Sequence, residues 1–200
     1  MDLLIHPTYF PNVITCAHMA KADRVIFEKH DNYQKQTYRN RTHILGANGK
    51  LALTIPVVYS QKQRQLYKDI RIANTEAWQA HHWKSLLSAY GASPFYEYYK
   101  DELYPLFHNS QAFLFDFNIL CLDVIKDCLQ WDLPYEFTTE FEKESTLDDQ
   151  REFVNARKEK RLDQDTYTQV FSDKFGFTHN LSILDLLFNE GPNALTYLSA

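Results

Sequence analysis

Two hundred residues that are 44% hydrophobic and 15% aromatic suffice for one sizeable core and are too few for two independent enzyme domains. The formal charge of −5 argues against a dedicated nucleic-acid binder. The ratio of 14 Phe and 13 Tyr to 5 Gly argues against the glycine-rich loops of a P-loop or dinucleotide fold, so no cofactor is expected.

The amino end, Met1-Asp2-Leu3-Leu4-Ile5-His6-Pro7, has no cationic flank, and His6 and Pro7 break its apolar run, which is not the pattern of a secretory signal. No apolar stretch approaches the about 20 residues that span a bilayer. The cytoplasm is therefore the expected compartment, with no membrane partner. Cys16, Cys121 and Cys128 have no Cys-x-x-Cys spacing, which suits a reducing compartment and offers no zinc framework.

In chain order, residues 3–5 read as a strand, 13–22 as a short helix and 24–27 as a second strand. Segments 42–45 and 51–58 flank Asn48-Gly49, a dipeptide suited to a hairpin whose two turn residues both need positive φ. Pro56 lacks a backbone donor and places its strand at an edge. After a polar loop over 60–65, residues 68–72 give one more strand. Trp83, Leu86, Leu87 and Tyr90 then form a helical stripe that Gly91 ends. Ser93 and Pro94 read as the cap and first position of the next helix, whose core face is Tyr96, Tyr99 and Leu103 and which Pro105 should kink or stop. From a cap at Ser110, Leu114, Phe117, Cys121, Val124, Ile125 and Cys128 share one face of a third helix, with both cysteines packed in the core. Segment 138–165 is densely charged and reads as a solvated helix-and-loop insertion. Ser182-Ile183-Leu184-Asp185 is a capping-box pattern for a short helix stopped near 189–191, and Pro192 starts a last one. The expected fold is thus a single mixed α/β domain: a sheet-rich part (1–74), packed helices (75–133), a charged helical insertion (134–166) and a helical C-terminal segment (167–200).

Residues 31–41, from Asp31 through Asn32, Tyr33, Gln34, Lys35, Gln36, Thr37, Tyr38, Arg39 and Asn40 to Arg41, carry three cations and no aliphatic side chain. Such a run is exposed or lines a cleft. If extended at its end, it points Arg39 and Arg41 to one face; if helical at its start, it aligns Lys35 with Arg39. Either way two cations converge on one anion, while Tyr33 and Tyr38 can stack on a sugar or base. The plainer reading is a solvated loop whose charges pair with Glu28 and Asp31. His6 ends the first strand, where open α/β sheets gather ligands, and is a candidate general base or acid. His82 lies at the border of the helical stripe beside Trp78, whereas His81 faces solvent; both histidines also have a bland reading as hydrogen-bonded packing residues. Adjacent histidines cannot chelate from a helix, which wants i and i+4 spacing, so no metal site is expected. There is no Gly-x-Ser-x-Gly elbow, and Cys16 packs as a small hydrophobe rather than serving as a nucleophile.

The sequence resembles the WbqC-like protein family. The resemblance is carried by His6-Pro7-x-Tyr9-x-Pro11, Ala22-Asp23, Asn40-Arg41, Leu53-Thr54-Ile55-Pro56-Val57, Trp78 with His82-Trp83 and Tyr90, and the stretch from Ser182 through Gly191-Pro192. It covers almost the whole chain and is weakest over the charged insertion. Here Pro7 follows His6 directly, without the Gln of the family's usual His-Gln-Pro opening, and Asn12 and Val13 replace the aromatic and Gly that commonly follow the next Pro. The resemblance implies a place in bacterial polysaccharide and O-antigen biosynthesis, with acyl or aminoacyl transfer to an amino sugar. Tyr9 and Asn40 join the ligand-binding candidates on that basis. Two readings follow. In the first, Lys35, Arg39 and Arg41 hold the phosphate of a nucleotide sugar or acyl carrier and His6 or His82 takes a proton from the attacking group. In the second, the same cations bind a partner without catalysis. Clustering of both histidines with the arginines would favour the enzyme; arginines tied up in salt bridges would favour the binder. The oligomeric state stays open.

Overall fold

A computed structural model describes residues 1–60, 64–157 and 163–200. Its centre is a four-stranded, all-parallel sheet in the order β7-β2-β1-β8, built from β1 (Asp2–Ile5), β2 (Arg24–Phe27), β7 (Tyr135–Phe137) and β8 (Asp148–Asp149). The crossover from β1 to β2 is α1 (Val13–Lys21), whose first turn is capped by the Asn12 side chain accepting from the Thr15 amide. A hairpin of β3 (Arg41–Gly46) and β4 (Gly49–Thr54) and a small pair of β5 (Val57–Val58) and β6 (Arg71–Ile72) follow β2 in the chain. Helices α2 (Trp78–Tyr90), α3 (Tyr96–His108) and α4 (Leu114–Leu129) pack in sequence, and α5 (Ser172–Phe175), α6 (Ile183–Glu190) and α7 (Ala194–Ser199) close the chain, with α7 lying against α1.

Several local expectations are corrected. The hairpin turn has Ala47 and Asn48 between the paired Gly46 and Gly49, and of these four only Gly49 has positive φ (105°), so the Asn-Gly pair sits one position later than a two-residue positive-φ turn requires. Segment 68–72 is half 3-10 turn (Tyr67–Asp69) and half β6. The buried face of α2 is Trp78, His82, Leu86, Ala89 and Tyr90; Leu87 is 53% exposed, so the face is rotated by about one position and His82 lies inside it. Gly91 closes α2 in a right-handed conformation, and the Ser93 hydroxyl donates back to the Tyr90 carbonyl instead of capping α3. Pro105 lies within α3, on its exposed face, where water can serve the Asp101 carbonyl that the proline ring frees. Phe113, not Ser110, precedes α4.

The larger correction concerns the charged insertion. Its described part supplies both outer strands of the sheet and a 3-10 turn, Arg151–Val154, and no α-helix appears among its described residues. Parallel pairing is satisfied by backbone groups, so these short strands need no apolar alternation to be recruited. The charged run at 157–161 and the polar loop at 60–65 fall partly outside the described residues.

Candidate functional site

Register builds the site. Ile5, Phe27 and Phe137 are aligned across β1, β2 and β7, and the ladder runs one step further: the Glu28 amide donates to the Ile5 carbonyl (2.8 Å) and the Thr138 amide to Phe27 (3.0 Å). His6, Glu28 and Thr138 therefore form the next row, at the carboxyl ends of three strands. Beyond β8, Arg151 joins them. Strand order reverses between β1 and β8, the place where parallel α/β sheets open a crevice.

The Glu28 carboxylate, 1% exposed, accepts from the amides of His30 (2.6 Å) and Asp31 (3.1 Å) and from the Thr138 hydroxyl (3.2 Å), which fixes the turn that carries Asp31. Arg39 Nη2 then donates to Asp31 Oδ2 (2.8 Å) and to His6 Nε2 (2.7 Å), and His6 Nδ1 donates to the Arg151 carbonyl (3.2 Å). That tautomer follows from the network, since a carbonyl can only accept. Burial, with the Arg39 charge next, lowers the His6 pKa to about 4, so the imidazole is neutral at pH 7. Burial raises the Asp31 carboxyl, but the group lies below its usual range, with the Arg39 charge and the Asn32 amide among the contacts that favour its ionised form. Arg151 chelates Asp149 through Nε (2.9 Å) and Nη2 (2.6 Å), and its Nη1 is 3.7 Å from Glu28.

Arg39 is fully buried, with its guanidinium 5.2 Å from the centre of the Tyr67 ring. Asn118 Nδ2 donates to the Arg39 carbonyl (2.6 Å) and to the Tyr67 hydroxyl (2.5 Å), which donates to the Pro7 carbonyl (2.7 Å). Among the described residues, Arg39 Nε and Nη1 have no acceptor and the hydroxyl of the buried Tyr33 has no partner. A cavity of about 150 Å³ adjoins the row of strand ends, lined by Glu28, Thr138, Thr139, Glu140, Glu142 and Ser145 among others. A larger groove of about 530 Å³, between α1, α7 and residues 163–165, contains none of the candidate residues.

The run 31–41, expected to be exposed or to line a cleft, divides: Asn32, Gln34, Lys35 and Gln36 are exposed, while Tyr33 and the second half turn inward. Thr37, Tyr38, Arg39 and Asn40 are buried, because the backbone threads the core: Tyr38 bridges Tyr9 and Val154 by main-chain bonds, and Asn40 is pinned to Ile55. The structure brings together His6, Asp31 and Arg39, with Tyr33 sharing the Tyr67 ring with Arg39. Arg41 opens β3, and its Nε has no partner among the described residues. Lys35 is exposed, its ammonium 4.6 Å from the Tyr59 ring centre, apart from the cluster. His82 is elsewhere too: its Nδ1 accepts from the Tyr9 hydroxyl (3.0 Å), its ring donates to the Thr54 carbonyl, and it packs on Trp78. Burial lowers its pKa to about 4. Cys16 is buried and burial pushes its thiol far up. Thr138, Arg151, Asn118 and Tyr67 had escaped the sequence reading, and Glu28 had entered it only as a charge partner of a solvated loop. For Glu28 the signal was its place one residue past a strand; for Asn118, a lone amide on the apolar face of α4; for Arg151 there was none.

Among the described residues no three or more His, Cys, Asp or Glu side chains are grouped to hold a metal ion, and no helix is long and apolar enough to cross a membrane. The sequence model of the WbqC-like protein family matches residues 6–169. An uncharacterized protein of Mycobacterium tuberculosis, Rv1507c, is 28% identical over 212 aligned positions, covering 90% of this chain and 89% of that protein. No solved structure gives a significant match.

Proposed function

The chain belongs to the WbqC-like protein family, and from that premise we propose that it is a transferase of bacterial surface-polysaccharide biosynthesis that moves an acyl or aminoacyl group onto an amino sugar. The observation that carries this reading is the His6–Asp31–Arg39 group at the carboxyl end of β1, where a neutral imidazole, a carboxylate and a cation meet within 2.9 Å of one another.

Arg39 holds the anionic group of the donor, and the amino sugar enters the cavity lined by the hydroxyls of Thr138, Thr139 and Ser145 and the carboxylates of Glu28 and Glu140. Drawing Arg39 toward an anion relieves its charge on His6. The imidazole then gains basicity and takes the proton of the attacking amine or hydroxyl, Asp31 stabilises the imidazolium, and as the bond between acyl group and carrier breaks the departing carrier thiol or hydroxyl takes that proton. A thermal-shift screen of acyl-CoA as donor and of nucleotide sugars and free amino acids as other ligands shows which the site binds, because a ligand that binds the folded state raises its melting temperature by mass action. Mass spectrometry of donor and amino-sugar mixtures then reads turnover. His6→Ala is expected to abolish product while the donor-induced shift persists; product formed at the parent rate by that variant would refute the assignment of His6.

A second reading, a non-enzymatic anion- or partner-binding protein of the same pathway, draws on the Arg39–Asp31 ion pair, which already occupies one arginine nitrogen. It is the reading that survives if donors bind and no combination turns over.

A further inference from the structure

Arg39 is committed at only one of its three nitrogens. Nη2 serves Asp31 and His6, while Nε and Nη1 have no acceptor among the described residues although the residue is 0% exposed. Tyr33, 4% exposed, packs against the same Tyr67 ring, 6.4 Å between ring centres, and its hydroxyl is equally without a partner among the described residues. Leaving such donors buried and unmatched costs on the order of 1 to 3 kcal/mol each, and a native fold that retains two side chains in this condition side by side has a use for them. Asp31, with 17% of its side chain exposed, connects the group to solvent.

We propose that Tyr33 and Arg39 form a specificity-determining subsite for a carboxylate, so that a ligand of this site is held through a carboxylic acid group rather than through a phosphate. The proposal concerns binding alone and does not require that the carboxylate itself be the group transferred. Two arguments select the carboxylate. The first is a count of donors: Nε carries one hydrogen, Nη1 two and the tyrosine hydroxyl one, and a carboxylate offers about four acceptor positions on two oxygens. A phosphate has a third oxygen and more lone pairs than this subsite can meet. The second is charge. With Arg39 already paired to Asp31, each negative charge on a ligand is added without a further cation to match it, so a monoanion costs less here than a phosphate dianion. Burial raises the Tyr33 hydroxyl to about 12 against the opposing charges of Arg39 and Arg41, so the group keeps its proton and is available as a hydrogen-bond donor.

The test uses the full chain and equilibrium binding, so it does not depend on turnover: a failed transferase assay leaves it intact, and its failure leaves His6 in place. Acetate and inorganic phosphate are titrated at matched ionic strength, with melting temperature and the arginine Nε–H resonances as readouts. Acetate is expected to give a saturable shift of the Arg39 resonance and a rise in melting temperature, and phosphate no more than a chloride control. Tyr33→Phe removes only the unpartnered hydroxyl, so it should fold with an unchanged or higher melting temperature and bind acetate at least about tenfold more weakly. Tighter binding of phosphate than acetate, no saturable acetate shift, or parent-like acetate affinity in Tyr33→Phe would each overturn the proposal, as would a lower melting temperature of ligand-free Tyr33→Phe. Glycine and glucuronate then separate an amino acid from an acidic sugar as the source of the carboxylate, the tighter of the two naming it.

Discussion

At the scale of single residues, His6 and His82 are two buried imidazoles with similar pKa values and different surroundings. His82 has both nitrogens satisfied by groups without charge, the Tyr9 hydroxyl and the Thr54 carbonyl. Its low basicity is a matter of burial first, with His81 a lesser contribution. His6 has a cation and a carboxylate at one nitrogen, and its low basicity comes from burial and then Arg39. Only the second cause can be switched by a ligand. Arg39→Gln should therefore raise the His6 pKa from about 4 toward 6.5, read by NMR titration of the ring, and should leave His82 where it is. An unchanged His6 value would show that burial alone sets it.

At the scale of elements, two positions carry opposite expectations. Gly191 ends α6 with a φ of 53°, and a Cβ there would lie 2.5 to 2.6 Å from three atoms of the Phe95 ring. Gly191→Ala meets a backbone penalty and a clash with a ring that has little freedom, and should cost on the order of 2 kcal/mol or more in denaturant unfolding. Pro105 interrupts the hydrogen-bond ladder on the exposed side of α3 without stopping the helix. Pro105→Ala restores one amide and removes a ring clash, offset by a more flexible unfolded chain, and should stabilise by on the order of 1 to 2 kcal/mol. The Ser182 cap also shows how an element signal is read locally and used elsewhere. The hydroxyl accepts from the Leu184 amide as a cap should, but the Asp185 carboxylate does not return to Ser182; it accepts from Tyr167 (2.7 Å) and Gln169 (3.1 Å), tying segment 167–169 to α6.

For the whole molecule, these buried groups set a pH dependence with a definite sign. His6 and His82 have folded pKa values of about 4 against 6.5 when unfolded, so each stabilises fully above 6.5 and loses that contribution as pH falls toward 4. Asp185 is raised by burial from 3.8 to about 6, so its contribution is present below 3.8 and lost as pH rises through 6. Between pH 4 and 6 the unfolded chain thus holds two more histidine protons and one fewer carboxyl proton, a net of about one, and stability should climb by roughly 1.4 kcal/mol per unit in that window. Asp185→Asn removes the opposing proton and should about double the slope, measured by urea unfolding at pH 4.5 and 5.5. A slope unchanged by that variant would mean that Asp185 is ionised alike in both states.

The sequence by itself determined whatever rests on local periodicity and local chemistry. The β1–α1–β2 unit, the β3–β4 hairpin, the α4 stripe and the Ser182 start of α6 all follow from residues within a few positions of one another, as do the family and the placing of His6 at a strand end. Only the tertiary structure decided what pairs across the chain. His6 meets Arg151 over 145 positions and Glu28 meets Thr138 over 110, through strands of two and three residues in a segment whose charged composition gave no sign of pairing. The same holds for the run 31–41. Its cations and polar side chains indicate solvent, yet Arg39 is buried because the core around it supplies Asp31, His6, the Tyr67 ring and the Asn118 amide, partners that no window of the sequence contains together.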